Sequence, residues 1–298
     1  MTTIDGIPAD GRVLVTGAGG QIGSAVTERL LAAGHPVTAF DRDFADPCPA
    51  DRVITGDATS ETDIAEAMTD AVGVVHLAAI PGLGGADPYP LFRLNTDATF
   101  NVLQAAADRG VRRTAIASSI QATGIPNGHH DVLPAYYPID EDLPADVGDA
   151  YSLSKQVDEG TAQMIVRLHE LVVVAFRFPF TTTVDNLRDA ARSAVENPSA
   201  GRAEGWSYLD VRDAAEAARL ALVTPLPVAL HVIGLAAPDN LPGLDAAQLA
   251  AQHAPQVEVR GTVTGTMSLC STARAAELLG WRAGHVRAWE STGGPESR

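Results

Sequence analysis

Short apolar runs alternate with amphipathic segments over the first 180 residues of the chain. A short run bounded by turn residues is typical of a buried strand, and apolar positions three and four apart are typical of a helix. The predicted strands are "RVLVTG", "PVTAFD", "DRVITGD", "GVVHLAA", "RTAIASS" and "LVVVAFRF". The predicted helices are "SAVTERLLAAG", "ETDIAEAMTDA", "LFRLNTDATFNVLQAAADRG" and the segment that carries Tyr151, with Gly34 and Gly110 as two of the stop signals. This alternation predicts an α/β fold with a mostly parallel, doubly wound sheet covered by helices on both faces.

The alternation becomes less regular beyond about residue 180. There we predict the helices "TTTVDNLRDAARSAVENP", "LDVRDAAEAARLALVTP" and "STARAAELLGW", and the strands "ALHVIG" and "VEVR". Before this region, a long acidic loop rich in proline and glycine extends from Ile125 to Asp149. Loops of that length inside compact domains are usually functional or disordered.

The charge of the chain limits its partners. A formal net charge of −16 and a pI near 4.7 argue against nucleic acid and anionic membrane surfaces, which select clustered Lys and Arg. The N-terminus shows no secretion signal, and no run approaches the roughly 20 apolar residues that span a bilayer. Cys48 and Cys270 stand alone, without the spacing of a metal site or of a disulfide framework. We expect a cytoplasmic protein that binds a small molecule.

A glycine-rich turn follows the first predicted strand. Gly17, Gly20 and Gly23 lie where backbone N–H groups at a helix N-terminus can approach a pyrophosphate, although a glycine triplet is also found in ordinary turns. The second strand ends at Asp41, at the distance that a dinucleotide-binding fingerprint requires. Asp41 favours NAD, because its carboxylate would accept from the ribose and repel a 2′-phosphate. Arg42 keeps NADP open as the less favoured cofactor, since an arginine there can pair with that phosphate.

The end of the third strand offers a further contact. Asp57, followed by Ala58, either reaches an adenine amino group or caps the helix that follows.

One pair of residues indicates proton chemistry. Of the 21 lysines and arginines, only Lys155 is a lysine, and it stands four residues after Tyr151 on a predicted helix. Residues at i and i+4 lie on one helix face, although such neighbours need no catalytic purpose. A free phenol is too weak a base at neutral pH, and a nearby ammonium favours the phenolate. A compact ammonium can also donate to both ribose hydroxyls, which a planar guanidinium does less well.

A hydroxyl group would complete such a site. Ser118 and Ser119 end a predicted strand, the usual ligand position in doubly wound sheets. One of them would bond the substrate oxygen, or both would serve as caps of a turn or helix.

These features resemble the short-chain dehydrogenase/reductase superfamily, in particular its extended branch of NAD-dependent epimerases and dehydratases. The resemblance extends from Arg12 to about Asp213 and is carried by "TGAGGQIG", "GDATS", "HLAA", "LNTDATFNVLQAA", "ASSIQATG", "YSLSK" and "WSYLDVRDAAEA". It implies a Rossmann-type domain over residues 1–180, joined by a strand and a helix from about 205–235. It also implies a smaller, partly interleaved substrate domain over most of 181–298. Homodimers built from the helices of Asn95 and Tyr151 are common in such proteins.

The resemblance assigns roles to individual residues. Tyr151 would be the acid/base, Lys155 would bind the ribose, and Ser119 would polarise the substrate. The remaining cofactor contacts implied are Gln21 and Ile22 at the pyrophosphate, Leu77 and Ala78 at the ribose, Phe178 near the nicotinamide, and Asn95 as a supporting residue.

Two departures bear on the substrate. Phe180 stands where nucleotide-sugar enzymes carry an asparagine for the diphosphate, and the C-terminal segment is short. A weaker similarity to uronate dehydrogenases makes Ser119, Gln121 and Arg188 candidates for substrate contact, although those enzymes carry Asn and His where this chain has Ile120 and Gln121. Arg188 is one residue out of register for a carboxylate ligand, and an exposed helix face is the alternative.

The sequence therefore predicts an NAD-dependent oxidoreductase that acts on a hydroxyl or carbonyl centre of a sugar-like small substrate. The alternatives are a nucleotide-sugar epimerase or dehydratase and a non-catalytic dinucleotide-binding redox sensor. No metal is expected, because the adjacent His129 and His130 point apart and no further ligand has the required spacing. For His76, at a strand end, we expect a packed, neutral side chain.

Overall fold

The computed structural model describes residues 2–82, 86–125 and 132–291. Within these residues, seven parallel strands form one sheet. They are β1 (Arg12–Thr16), β2 (Val37–Asp41), β3 (Arg52–Thr55), β4 (Ala71–His76), β5 (Arg113–Ser119), β6 (Val172–Phe178) and β7 (Leu230–Gly234). The strand order is β3-β2-β1-β4-β5-β6-β7. This is the order of the doubly wound Rossmann-type fold, extended by one strand, so the predicted fold class is confirmed.

The described residues also contain helices, most of which lie between strands of the sheet. They are α1 (Gln21–Ala32), α2 (Glu61–Ala67), α3 (Pro88–Asp108), α4 (Ala150–His169), α5 (Val184–Glu196), α6 (Val211–Val223), α7 (Ala246–His253), α8 (Ala273–Leu279) and α9 (Ala288–Ser291). Two 3-10 turns cover Ile120–Thr123 and Pro198–Glu204. None of the described helices has the length and apolarity to cross a bilayer.

Both faces of the sheet are buried. Val13 and Val15 of β1 share one core with Leu30 of α1 and residues of α6. Leu14 points to the opposite face and joins a second core with Val102 of α3. In a strand that is covered on both sides, every side chain is buried. Since burial of one large apolar side chain stabilises the fold by about 1.5–3 kcal/mol, such a strand has a continuous apolar sequence. The apolar runs in the sequence have this origin.

The helix stop signals lie where the sequence indicates them. Gly34 follows α1 with φ +90°, and Gly110 follows α3 with φ +70°. The sequence predicts that the whole segment "LDVRDAAEAARLALVTP" is helical, but in the structure its first residues are not. Its first two residues belong to the short strand Tyr208–Asp210, which pairs in parallel with Phe180–Thr182. Helix α6 starts only at Val211.

In addition to the two cores on the faces of the sheet, residues that follow β5 form a separate apolar cluster beside the sheet. It contains Ile120, Tyr137, Trp206, Leu249 and Leu269. Part of the long acidic loop belongs to this unit, because Tyr136–Tyr137 pairs in parallel with Glu258–Val259. In contrast, α6 and β7 belong to the layers of the central sheet. The predicted domain boundaries stay a prediction.

Candidate functional site

The glycine turn after β1 requires glycine at two positions. A Cβ on Gly17, whose φ is +73°, would lie 2.6 Å from the backbone N of Ala78. A Cβ on Gly23 would lie 2.0 Å from the carbonyl oxygen of Gly17. The chain thus passes close to the loop after β4, and α1 begins directly after Gly20. The first-turn N–H groups of a helix have no partner within the helix, so this end of α1 suits a phosphate group.

A cavity of about 320 Å³ lies at this turn. Its lining includes Gly17, Gly20, Asp41, Arg42, Asp57, Ala58, Leu77, Ala78 and Asn95. The Asp41 carboxylate is oriented by two backbone donors, Gly19 N at 2.8 Å and Arg42 N at 2.7 Å. The structure thus brings together the residues that the sequence assigns to the adenosine half of a dinucleotide.

Two residues of this cavity hold loops in place. The Asn95 amide is bonded to the backbone of Ile80 at 2.7 and 3.0 Å, so it orients the loop after β4. One oxygen of Asp57 accepts from the N–H and the hydroxyl of Thr59, both at 2.9 Å. Ser60 is the cap of α2, and the alternative in which Asp57 caps that helix is therefore wrong.

A larger cleft of about 930 Å³ adjoins this cavity. Ser119, Tyr151 and Lys155 line it, together with Gln21, Ile22, Leu77, Gln121 and Phe178. Gln21 is fixed by Thr182, whose hydroxyl donates to its side-chain oxygen at 2.7 Å. Phe178 stands at the end of β6 and contacts Phe176 with ring centres 5.6 Å apart. The cleft runs from the glycine turn past the predicted proton-transfer residues.

Lys155 is almost completely buried beside Tyr151. Its ammonium lies 5.8 Å from the centre of the Tyr151 ring and donates to the Ala117 carbonyl at 2.9 Å. It also pairs with Asp158 at 3.1 Å. Burial lowers the pKa of Lys155, but the charges of Asp158 and Tyr151 outweigh burial and raise it above its usual range. The ammonium therefore stays charged at neutral pH, next to the phenol.

The two serines of β5 have different partners. Ser118 donates its hydroxyl to Glu159 at 2.6 Å, and Glu159 also pairs with Arg177. The Ser119 oxygen accepts the N–H of Gln121 at 3.1 Å, which leaves its own proton for another acceptor. The geometry favours Ser119 over Ser118 as the residue that faces a substrate.

His76 lies buried beneath this site. Its ring nitrogens lie 2.7 Å from the Thr16 hydroxyl and 3.2 Å from the Thr99 hydroxyl. Burial, and then the charge of Lys155, lower its pKa to about 3. The predicted neutral, packed histidine is confirmed.

Arg188 lies apart from these residues. It is on α5 and pairs with Asp185 at 2.8 Å, and it is not among the described residues that line the cleft. His129, His130 and Asp131 lie outside the described residues. Within those residues, no group of three or more His, Cys, Asp and Glu side chains could hold a metal ion.

Three residues of the site escaped the sequence analysis. Asp158 is the buried partner of Lys155, and its spacing of three residues is a signal that could have found it. Gly82 packs against the Tyr151 ring, and Glu204 lines the larger cleft. The last two have no local signal, because their proximity to the site arises only from the folding of distant segments.

Comparison with known proteins adds a family to this geometry. A profile described as the NAD dependent epimerase/dehydratase family matches residues 13–229. The chain is 34% identical over 160 residues to the 3-beta-hydroxysteroid dehydrogenase of Mycolicibacterium neoaurum, covering 50% of this chain and 42% of that protein. It is 30% identical over 187 residues to the NAD-dependent glucose-6-phosphate dehydrogenase of Haloferax volcanii, covering 56% of this chain and 68% of that protein. The match thus spans less than half of the first relative.

Solved structures share the fold. A short-chain dehydrogenase/reductase superfamily protein from Agrobacterium tumefaciens, crystallised with bound NAD, has a TM-score of 0.68 and 23% identity, over 93% of this chain and 94% of that one. The UDP-N-acetylglucosamine 4-epimerase from Bacillus cereus has a TM-score of 0.67 and 18% identity, over 93% of this chain and 95% of that one. At these identities the similarity establishes the fold alone.

Proposed function

Because the chain belongs to the NAD-dependent epimerase/dehydratase family, we propose that it oxidises a secondary alcohol, or reduces the corresponding ketone, of a small substrate. The family consists of NAD-dependent enzymes, so NAD is the cofactor. The observation that carries the proposal is the shared cleft. Tyr151, Lys155 and Ser119 line it together with Gln21 and Ile22 at the start of α1.

The residues present fit the cofactor. Gly17 and Gly20 line the cavity beside the start of α1, and the same cavity contains the Asp41 carboxylate. In the proposal, the start of α1 holds the pyrophosphate and Asp41 accepts from the adenosine ribose. Arg42 lines the same cavity and is exposed, so the preference for NAD over NADP rests on the charge of Asp41.

The chain's own residues then perform the proton chemistry. When bound, NAD would supply the acceptor for the hydride that leaves the substrate carbon. Tyr151 takes the proton of the substrate hydroxyl as the carbonyl forms, and returns it in the reverse direction. Ser119 donates to the substrate oxygen. Lys155 keeps its charge beside Asp158 and stabilises the Tyr151 phenolate.

The nucleotide-sugar reaction is the second candidate. Its support is the shared fold with an epimerase of that kind. Against it, no arginine is found among the described residues that line the cleft, and Phe180 occupies part of its wall. The two relatives compared above are both named as dehydrogenases, which favours net oxidation or reduction over epimerisation. A non-catalytic sensor is disfavoured, because the family consists of enzymes.

We also propose a homodimer. Leu153, Met164 and Leu168 form an exposed apolar stripe on the outer face of α4, where the family resemblance expects a second copy. The cytoplasmic location stays a prediction from composition.

The reaction is tested by incubating the purified protein and NAD with uncharged secondary alcohols, free sugars, sugar acids and UDP-sugars. A rise in the absorbance of reduced nicotinamide is expected with at least one alcohol or sugar. Conversion of a UDP-sugar to its epimer without that rise would identify the second candidate.

Tyr151→Phe isolates the proton step. We expect kcat to fall by about 100- to 10,000-fold, because the phenol is the acid/base. NAD affinity, measured by titration calorimetry, should stay within a few-fold. Tyr89→Phe, at an exposed tyrosine, is the matched control and should keep full activity. Retained activity in Tyr151→Phe would overturn the proposal.

A further inference from the structure

One carboxyl group in the cleft has no role in the proposed reaction. Among the described residues that line the cleft, Tyr151, Lys155 and Glu204 are the titratable ones. Lys155 is already paired with Asp158. Tyr151 is the acid/base of the proposed reaction. Glu204 is therefore the one ionisable group of this described lining that is available for a further contact with the substrate.

Glu204 is partly buried. Within the described part of the chain, no donor or cation lies within bonding distance of its carboxylate, and burial is the cause that raises its pKa. Side chains surround the group, yet it opens into the cleft. The oxygens of a carboxyl in this position can accept hydrogen bonds from a substrate in the cleft.

The backbone holds Glu204 in a fixed place. It ends the 3-10 turn Pro198–Glu204, and its carbonyl accepts the hydroxyl of Ser207 at 2.7 Å. Gly205 follows with φ +61°, and Trp206 with φ +54°, a left-handed conformation that side chains rarely adopt. Trp206 keeps it because its indole N–H donates to Pro198 at 2.6 Å. Strained backbone of this kind is often found at ligand-binding sites.

The wall around Glu204 is mostly apolar. It includes Phe180, Ala190, Ala194, Trp206, Leu241 and Pro242. Arg and Lys side chains commonly hold the diphosphate of a substrate, but the described lining of the cleft provides only the buried Lys155. A phosphate or carboxylate near Glu204 would face a second acid without compensation. Contact between such a wall and an apolar part of the substrate is favourable, because it removes apolar surface from water.

We propose that Glu204 is a specificity-determining residue that selects uncharged substrates with a largely apolar body and a second hydroxyl group, which donates to its carboxyl. This inference rests on the proposed function, since the first hydroxyl is the one that reacts at Ser119 and Tyr151. The acceptor and the apolar wall together attract such a molecule, and the acid excludes nucleotide diphosphates.

A rigid diol and its mono-ol test this role. The probes are androstane-3β,17β-diol, androstan-3β-ol lacking the second hydroxyl, and UDP-galactose. For the unaltered protein we expect kcat/KM to be about 10- to 100-fold higher with the diol than with the mono-ol, and lowest with UDP-galactose. Glu204→Ala should reduce this diol preference to within a few-fold, and Glu204→Gln, which keeps an acceptor, should retain most of it. An unchanged preference in Glu204→Ala, or faster turnover of UDP-galactose, would overturn the inference.

Binding separates this inference from the proposed reaction. Quenching of tryptophan fluorescence on titration of the diol reports binding in Tyr151→Phe, in which turnover is expected to be very slow. Tighter binding of the diol than of the mono-ol, lost in Glu204→Ala, supports the role of Glu204 even if no substrate is oxidised. Equal binding of diol and mono-ol contradicts it. A melting scan of each Glu204 variant controls for folding, which should be intact because the side chain bonds to no other described residue.

Discussion

At the scale of single residues, the position of Lys155 explains why lysine is kept there. Its ammonium fits between the Ala117 carbonyl and Asp158, in a site that is almost completely closed to solvent. A guanidinium is broader and carries five donors in a fixed plane, and several of them would be left unsatisfied. Arg113 is the contrasting case, because the donors of its buried guanidinium reach several backbone carbonyls, among them those of Ile4 and Asp5.

The Asp158 carboxylate is the first of the charges that favour the protonated form of that ammonium. Because Asp158 helps to raise the pKa of Lys155, Asp158→Asn should bring this pKa down, and the ammonium should lose its proton at a lower pH. We expect the alkaline limb of the pH–rate profile to move to lower pH and kcat to fall at pH 8. A buried charge without its partner should also cost about 3–5 kcal/mol in the free energy of unfolding.

A surface pair with the same spacing is the control for Asp158→Asn. Asp189 pairs with Arg192 at 3.3 Å on α5, and both side chains are exposed. Asp189→Asn should change the free energy of unfolding by at most about 1 kcal/mol and leave the pH profile in place. An unshifted profile in Asp158→Asn would show that Asp158 does not tune the charge of Lys155.

Asp41 is the residue that we propose to favour NAD over NADP. Asp41→Asn removes the charge that repels a 2′-phosphate, while Arg42 remains in the same cavity to pair with it. We expect the ratio of kcat/KM for NADP to that for NAD to rise by about 10- to 100-fold. Adding Arg42→Ala should cancel the gain. Asp46→Asn is the control, because Asp46 is exposed and lies outside the cavity, and it should leave the ratio unchanged. An unchanged ratio in Asp41→Asn would show that the Asp41 carboxylate does not face the ribose.

At the scale of elements, the loop after β4 forms part of the wall behind Tyr151, the proposed acid/base. A Cβ on Gly82 would lie 2.6 Å from the ring of Tyr151, and Gly160 on the same helix as that tyrosine has nothing within 4 Å. Gly82→Ala should displace the ring and lower kcat by about 100-fold, since small misplacements of reacting groups are costly. Gly160→Ala should keep kcat and raise the melting temperature, because alanine favours the helix. Equal kcat values in the two variants would contradict this contact.

The elements also show how far the sequence could predict the fold and the site. The sheet strands were predictable because burial on both faces produces apolar runs, and Tyr151 with Lys155 because one helix fixes their spacing. Helix α7 was missed, since Leu249 is its one large apolar residue, although Asp245 accepts from Gln248 as a helix cap. Glu204 was not predictable, because its burial depends on residues that are distant in the sequence.

At the scale of the whole molecule, α4 links the reacting site to the surface. Its inner face carries Lys155, and its outer face carries an exposed stripe in which Leu168 is 66% exposed. A second copy of the chain is the expected partner. Stripes of this kind are unfavourable in water, and covering them in a dimer stabilises the helix that positions Tyr151. A dimer would therefore stabilise the fold and the site together.

Light scattering tests this expectation. The unaltered protein should have twice the mass of the chain, and its melting temperature should fall on dilution, because dissociation removes stabilising contacts. Met164→Glu with Leu168→Glu should give a monomer, since buried carboxylates have no counter-charge on an apolar stripe. Val195→Glu, at an exposed apolar position on α5, should remain a dimer. A monomeric unaltered protein, or a dimer that survives both charges on α4, would place the contact elsewhere or remove it.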